Sequence, residues 1–227
     1  MDTEYPVTEI MTSPLIRVAY DGVAEAYAAK FFHELDAKPL DRKLLDLFSE
    51  RVVAGGHVCE VGCGPGEVSV YLAGKGVPVH GIDISDKMVE VARRLSPGLH
   101  FEQGDMLALE AGESTLGGLV AFYAIVNLTR EEVARAFAEF FRVLRPSAPV
   151  LLSFHAGDET LHVTDFLGIP FSIDFVFHPV DAIVSLLKDA GLRVDEVIVR
   201  SPYAAVEHPS RRAYIFASKS QGDGRAP

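Results

Sequence analysis

The stretch HVCEVGCGPGEVSVYLAG, residues 57–74, governs how the rest of the chain reads. A short apolar run from His57 to Val61 leads into Gly62-Cys63-Gly64-Pro65-Gly66, and a helical pattern starts at Glu67. Glycines in such a turn admit positive φ and let a ligand come close to the main chain. Strand, glycine-rich turn and helix in that order open a parallel α/β sheet. In such sheets ligands lie beyond the carboxyl ends of the strands, near the switch point.

The pattern on either side agrees. Upstream, residues 18–34 and 40–54 form two amphipathic helices, the second stopped by Gly55-Gly56. Downstream, strands expected at 77–82, 99–103, 118–124 and 149–154 are interleaved with helices at 85–95, 130–144 and 180–190. Strands separated by helices indicate a mostly parallel sheet covered on both faces. Two late strands, 193–200 and 212–218, are joined by a short loop and suggest an antiparallel pair at one edge. Residues 160–178 break the alternation: Phe171, Ile173, Phe175 and Phe177 alternate with Ser172, Asp174, Val176 and His178. That period of two predicts a hairpin-like insertion on the strand-end side of the sheet. The expected organisation is a leader over 1–17, one domain over 18–219 with 160–178 as its insertion or lid, and a disordered tail over 220–227.

Composition narrows the partners. The chain has 227 residues, 48% of them hydrophobic, which is ample for a packed core. Its 21 Lys and Arg against 32 Asp and Glu leave a net charge of −11, which repels phosphate backbones and anionic lipid. Nucleic acid and membrane are therefore not the expected partners. The two cysteines, Cys59 and Cys63, make neither a disulfide framework nor a zinc ligand set, which fits a reducing cytoplasm.

Two cofactor classes use a glycine-rich turn of this kind. A dinucleotide fingerprint wants a third glycine where this chain has Glu67, and a carboxylate at that helix start opposes a pyrophosphate. Glu60, two residues before the first glycine, suits a cationic ligand. S-adenosylmethionine carries an ammonium and a sulfonium and no phosphate.

Glu60-Val-Gly62-Cys-Gly64-Pro-Gly66 resembles the first motif of class I S-adenosylmethionine-dependent methyltransferases of the small-molecule type. Gly81-Ile-Asp83-Ile-Ser85 with Met88, then Phe101-Glu-Gln-Gly104-Asp105-Met106, then Phe140-Phe141-Arg142-Val143-Leu144-Arg145-Pro146, resemble the later motifs in order. The family usually shows two glycines where Ser147-Ala148 stand here. The resemblance spans roughly residues 18–218. It implies a three-layer, Rossmann-like, seven-stranded and mostly parallel sheet with an antiparallel edge strand, N-terminal helices and a small β insertion.

It also implies roles. Asp83 would accept from the ribose hydroxyls, Ile84 and Met88 would pack on adenine, and Asp105 and the Met106 N–H would meet the adenine edge. Gly62 and Gly64 would let the main chain pass the methionine moiety, beside Glu60. Phe122 and Tyr123 would lie under the sulfonium, where aromatic faces stabilise a cation. Tyr20 and Tyr27, one helical face apart, would close over substrate and cofactor respectively.

The expected reaction is methyl transfer to a small, largely apolar acceptor, oxygen ranking first as the acceptor atom, with His155 as the candidate base and no metal. His178 and Asp174 are the other base candidates. Many relatives carry histidine at the position of Asn127, and asparagine can orient an acceptor but cannot take its proton. The apolar insertion, with Phe171 and Phe175 as candidate substrate contacts, either lids the site or buries against a second subunit in a homodimer. The alternative is a cyclase of the same fold that binds S-adenosylmethionine without transferring its methyl. A nicotinamide-dependent oxidoreductase and a non-catalytic partner subunit are further alternatives.

Overall fold

A computed structural model describes residues 13–204 and 206–220. Nine strands and six α-helices follow the chain within them. Two helices, α1 (Ser13–Phe31) and α2 (Pro39–Arg51), come first. Then β1 (Val58–Val61), α3 (Glu67–Gly74), β2 (Val79–Asp83), α4 (Asp86–Leu95), β3 (His100–Gln103), β4 (Gly118–Phe122), α5 (Arg130–Val143) and β5 (Pro149–Ala156) alternate strand with helix, save between β3 and β4. A hairpin of β6 (Thr160–Phe166) and β7 (Ile169–Val176) precedes α6 (Val180–Asp189), β8 (Leu192–Arg200) and β9 (Arg211–Lys219).

Seven strands make one sheet in the order β3-β2-β1-β4-β5-β9-β8. The first five are parallel, and β9 runs against both of its neighbours, so the reversed strand sits one place in from the edge. The chain leaves β1 toward β2 on one side and later places β4 on the other. That reversal of winding opens a crevice above the carboxyl ends of β1 and β4.

Period-two patterning divides the side chains between two layers. On β4, Leu119 and Ala121 join the larger core with Phe137 and Phe140 of α5 and Ile183 and Leu187 of α6. Val120 faces the other way, toward Leu44, Leu45 and Phe48 of α2 and Leu72 of α3. The helix α5 is fixed at its start by Thr129 and Glu132, which cap one another reciprocally. Truncating the fully buried Phe137 to alanine would cost about 3–5 kcal/mol.

Two expectations shift. Residues 13–17 of the expected leader are the first turn of α1, with Ile16 buried in the larger core; the rest of the leader and residues 221–227 lie outside the described residues. The insertion is the two-stranded β6–β7 hairpin, turned at Leu167-Gly168 with φ of 54° and 82°. Phe171 and Ile173 are buried under α1, Phe175 is half-buried, and Phe177 lies past the end of β7, stacked on His155. The apolar strip is covered by the chain's own first helix, so it lends no support to a second subunit.

Among the described residues no helix is long and apolar enough to cross a membrane.

Candidate active site

The crevice is floored by the glycine-rich turn and roofed by α1. Gly62 (φ 63°) ends β1; a Cβ there would stand 2.7 Å from Ala124 Cβ. Gly66 (φ 89°) starts α3, and a Cβ there would strike the Phe101 ring at 2.6 Å. Both positions need the left-handed conformation and the missing side chain together. Gly64 differs, because a Cβ there would meet only Tyr27, at 3.9 Å, so its outer side faces the crevice.

At the end of β2, Asp83 turns its carboxylate into this space. Its Oδ2 accepts the Gly64 N–H (2.8 Å) and its Oδ1 accepts the Ser85 N–H (2.9 Å). Burial pushes the carboxyl up to about 6, with those two bonds opposing the rise. A carboxylate offers about four lone-pair sites, so two remain for hydroxyl donors. Ile84 and Met88 supply an apolar wall, and Asp105 spends Oδ1 on the Leu107 N–H of its own loop (2.8 Å). Tyr123 follows β4 with φ of 52°, a strained conformation held by its N–H donating to the Ser153 carbonyl (2.9 Å).

One cavity of about 90 Å³ brings together Tyr20, Tyr27, Gly62, Gly64, Asp83, Ile84, Met88, Asp105, Met106, Phe122, Tyr123 and Asn127. Sequence reasoning missed Ser13, Ile16, Ala124 and Leu128 on the same wall. Ile16 precedes Tyr20 by four residues on α1, and that helical spacing was the available signal.

Four expected site residues lie elsewhere. Glu60 points into the α2–α3 layer, where it accepts the Ser69 hydroxyl (2.5 Å) and burial pushes it up to about 8. Strand alternation sends it there, one face away from the crevice. His155 pairs with β9, and its Nδ1 lies 2.7 Å from Ser210 Oγ. The Arg212 guanidinium donates to that same oxygen, so His155, Ser210 and Arg212 form one cluster. Burial, and next the Arg212 charge, bring His155 down to about 3, leaving a neutral ring tied through Nδ1 to Ser210. Phe171 packs edge-on against Tyr20 at 5.6 Å, and Phe175 packs on Phe171 at 6.4 Å, so both stiffen the roof from outside the cavity. Of the other base candidates, His178 is buried and faces the Ile125 carbonyl, while Asp174 is bonded to His162.

The charge pattern tests what the crevice can hold. No lysine or arginine lines it among the described residues. Two cations stand behind it over the Tyr123 ring, Lys38 at 5.2 Å and Arg212 at 5.8 Å. Lys38 is paired with Glu34 (2.8 Å), Arg212 donates to the Ser210 carbonyl (2.6 Å), and Arg200 is paired with Asp41 (3.0 Å) and Glu207 (2.6 Å). At the start of α3, where a pyrophosphate would sit, Glu67 is half-buried with Oε2 shielded and unpartnered, and desolvation pushes its carboxyl well up. With an acid side chain at that helix start and no cation in the described lining, the residues fit a phosphate-free nucleoside better than a dinucleotide.

A mostly parallel sheet covered on both faces, with a crevice at its switch point, defines a three-layer α/β protein of the nucleotide-binding type. Residues 58–147 match the methyltransferase domain family. The chain is 31% identical over 154 residues to the O-methyltransferase cnsE of Penicillium expansum, covering 63% of this chain and 54% of that protein. It is 33% identical over 99 residues to an S-adenosyl-L-methionine-dependent Diels-Alderase of Talaromyces variabilis, covering 41% of this chain and 34% of that one. Its fold overlays magnesium protoporphyrin IX methyltransferase of Synechocystis PCC 6803, solved with bound S-adenosylmethionine, with a TM-score of 0.68 at 18% identity over 94% of this chain and 99% of that one. The chain spans about half the length of the curated relatives it matches. Its fold is that of the S-adenosylmethionine-dependent methyltransferases, and the methyltransferase domain match falls on the stretch that builds the crevice.

Proposed function

We propose that the chain binds S-adenosylmethionine and directs its methyl to a hydroxyl oxygen of a small, largely apolar acceptor. The observation that carries this reading is the convergence of Asp83, the open face of Gly64 and the Ile84–Met88 wall on one crevice whose lining, among the described residues, holds no lysine or arginine. When bound, the cofactor supplies a methyl already activated on a cationic sulfur. The chain's own residues then have to bind, align and exclude water. Asp83 holds the ribose hydroxyls, Ile84 and Met88 flank the adenine, and Asp105 accepts from its amine through the uncommitted Oδ2. Phe122 and Tyr123 face the donor from the end of β4, and the fixed backbone of Tyr123 sets the angle of approach.

The lining residues bear on how the acceptor loses its proton. Asp83 and Asp105 are its carboxylates among the described residues, and both are assigned to the nucleoside. Burial raises the Tyr20 and Tyr123 phenols above their ordinary range, so they orient hydrogen bonds and do not abstract protons at neutral pH. An acceptor hydroxyl more acidic than an aliphatic alcohol, such as a phenol, fits this wall best.

The lack of a base in the lining also favours a second reading, a cyclase that uses the sulfonium as a fixed charge; the likeness to a Diels-Alderase supports it. Incubation with methyl-labelled cofactor and a panel of apolar phenols separates the two. Labelled product with equimolar S-adenosylhomocysteine supports transfer. Cofactor binding without S-adenosylhomocysteine across the panel, with rearrangement of a polyene acceptor, supports the second.

A further inference from the structure

The cavity of about 90 Å³ is smaller than the roughly 300–1,000 Å³ of ordinary small-molecule sites, so the placement of its roof bears on what it admits. The roof has two parts, and they are fastened differently. The hairpin is tied to the β4–α5 loop by main chain, the Val176 N–H donating to the Val126 carbonyl (2.7 Å). The helix α1 is tied by side chains. Asp21 accepts the Ser85 hydroxyl (2.6 Å) and the Lys87 N–H (3.1 Å), and Tyr20 and Tyr27 pack on Phe171 and Phe166 of the hairpin.

Asn127 joins the two parts. Its Nδ2 donates to the Asp174 carbonyl of β7 (2.8 Å), and its Oδ1 accepts the Tyr20 hydroxyl of α1 (2.9 Å). A backbone carbonyl can only accept, which fixes the amide's orientation and makes Tyr20 the donor. Asn127 is buried and lines the cavity, so both bonds lie inside the roof.

We propose that Asn127 is a positioning residue: it pins α1 to the hairpin over the bound nucleoside, and through Tyr20 it sets where the acceptor lies. This rests on the reading of the crevice as the cofactor and acceptor site. The position needs one side chain that accepts from a phenol on one side and donates to a carbonyl on the other. Alanine does neither, and an ionised aspartate would turn a charged oxygen against the Asp174 carbonyl.

Hydrogen exchange of the cofactor-free protein tests the pin without reference to activity. In Asn127→Ala, and in Tyr20→Phe, which keeps the ring against Phe171, exchange over residues 13–31 should rise about tenfold, the equivalent of one buried hydrogen bond. Exchange over α5 should stay unchanged, which shows that the variants fold. The double variant should exchange no faster than the faster single variant, because both remove the same bond. With cofactor, both single variants should bind S-adenosylmethionine about five- to tenfold more weakly by calorimetry. Unchanged exchange over 13–31 in both single variants, or additive effects in the double variant, would overturn the proposal. Wild-type protein that ignores S-adenosylmethionine would instead overturn the reading of the site, and the exchange result would stand apart from it.

Discussion

Replacing Asp83 with asparagine changes one atom where the nucleoside assignment is sharpest. In the wild type, both carboxylate oxygens accept a main-chain N–H, from Gly64 at 2.8 Å and from Ser85 at 2.9 Å. The amide oxygen can serve one of them, and its NH₂ then meets the other donor head-on. An orphaned buried N–H costs about 1–3 kcal/mol, so the melting temperature should fall by about 2–10 °C for a chain of this size. A ribose hydroxyl loses a charge-assisted acceptor worth about 1.5–3 kcal/mol, which weakens binding by about 10- to 150-fold. Calorimetry with S-adenosylmethionine and S-adenosylhomocysteine at pH 8 measures that loss. The carboxyl titrates near 6, so the wild type at pH 5 carries mostly a neutral acid, which resembles the amide, and the gap between the proteins should narrow there. A folded Asp83→Asn protein that binds both ligands within about twofold of wild type at pH 8 would refute the ribose assignment.

Asp83 and Glu60 both titrate above their unfolded values, at about 6 and about 8, because burial disfavours the charged forms. Their contribution to stability is complete below about pH 4 and is lost as pH rises through 6 and then 8, so scanning fluorimetry of the cofactor-free protein should show melting falling from pH 6 to 8.5. A cationic ligand favours the ionised carboxylate, so binding of S-adenosylmethionine near pH 6 should release protons, read as a heat that changes with the buffer's ionisation enthalpy. His155→Gln, whose amide can still bond Ser210 in either direction, should keep kcat/KM within about threefold; a loss of a hundredfold or more, the scale of general-base removal, would restore His155 to the chemistry. Leu167 is exposed and left-handed at the hairpin tip before Gly168, so Leu167→Asn should stabilise by about 1 kcal/mol in urea unfolding.

Much of this was legible in the residues because the signals were local. The glycines at 62, 64 and 66, the aspartate closing β2 and the alternation along 171–177 each depend on a few neighbouring positions, and each places an element in the structure. What the residues concealed was register between distant segments. His155 looked like a free rim base, and only its pairing with β9 brings Ser210 and Arg212 against it. Glu60 sits in the expected motif, yet a four-residue strand gives little pattern from which to choose its face, and Ser69 decides the matter. The place of Asn127 in the motif order points to the acceptor, while its partners Tyr20 and Asp174, 107 and 47 residues away, emerge only from the fold.

Ser85 divides its bonds between the part that moves and the part that stays. Asp21 reaches from α1 to its hydroxyl, while its N–H is held by Asp83 and its Oγ accepts the Met88 N–H. Lifting the helix costs only the first of these, so the carboxylate at the end of β2 keeps its setting with the doorway open. On the proposed reading the sugar meets a seat already laid, and α1 is the part that travels.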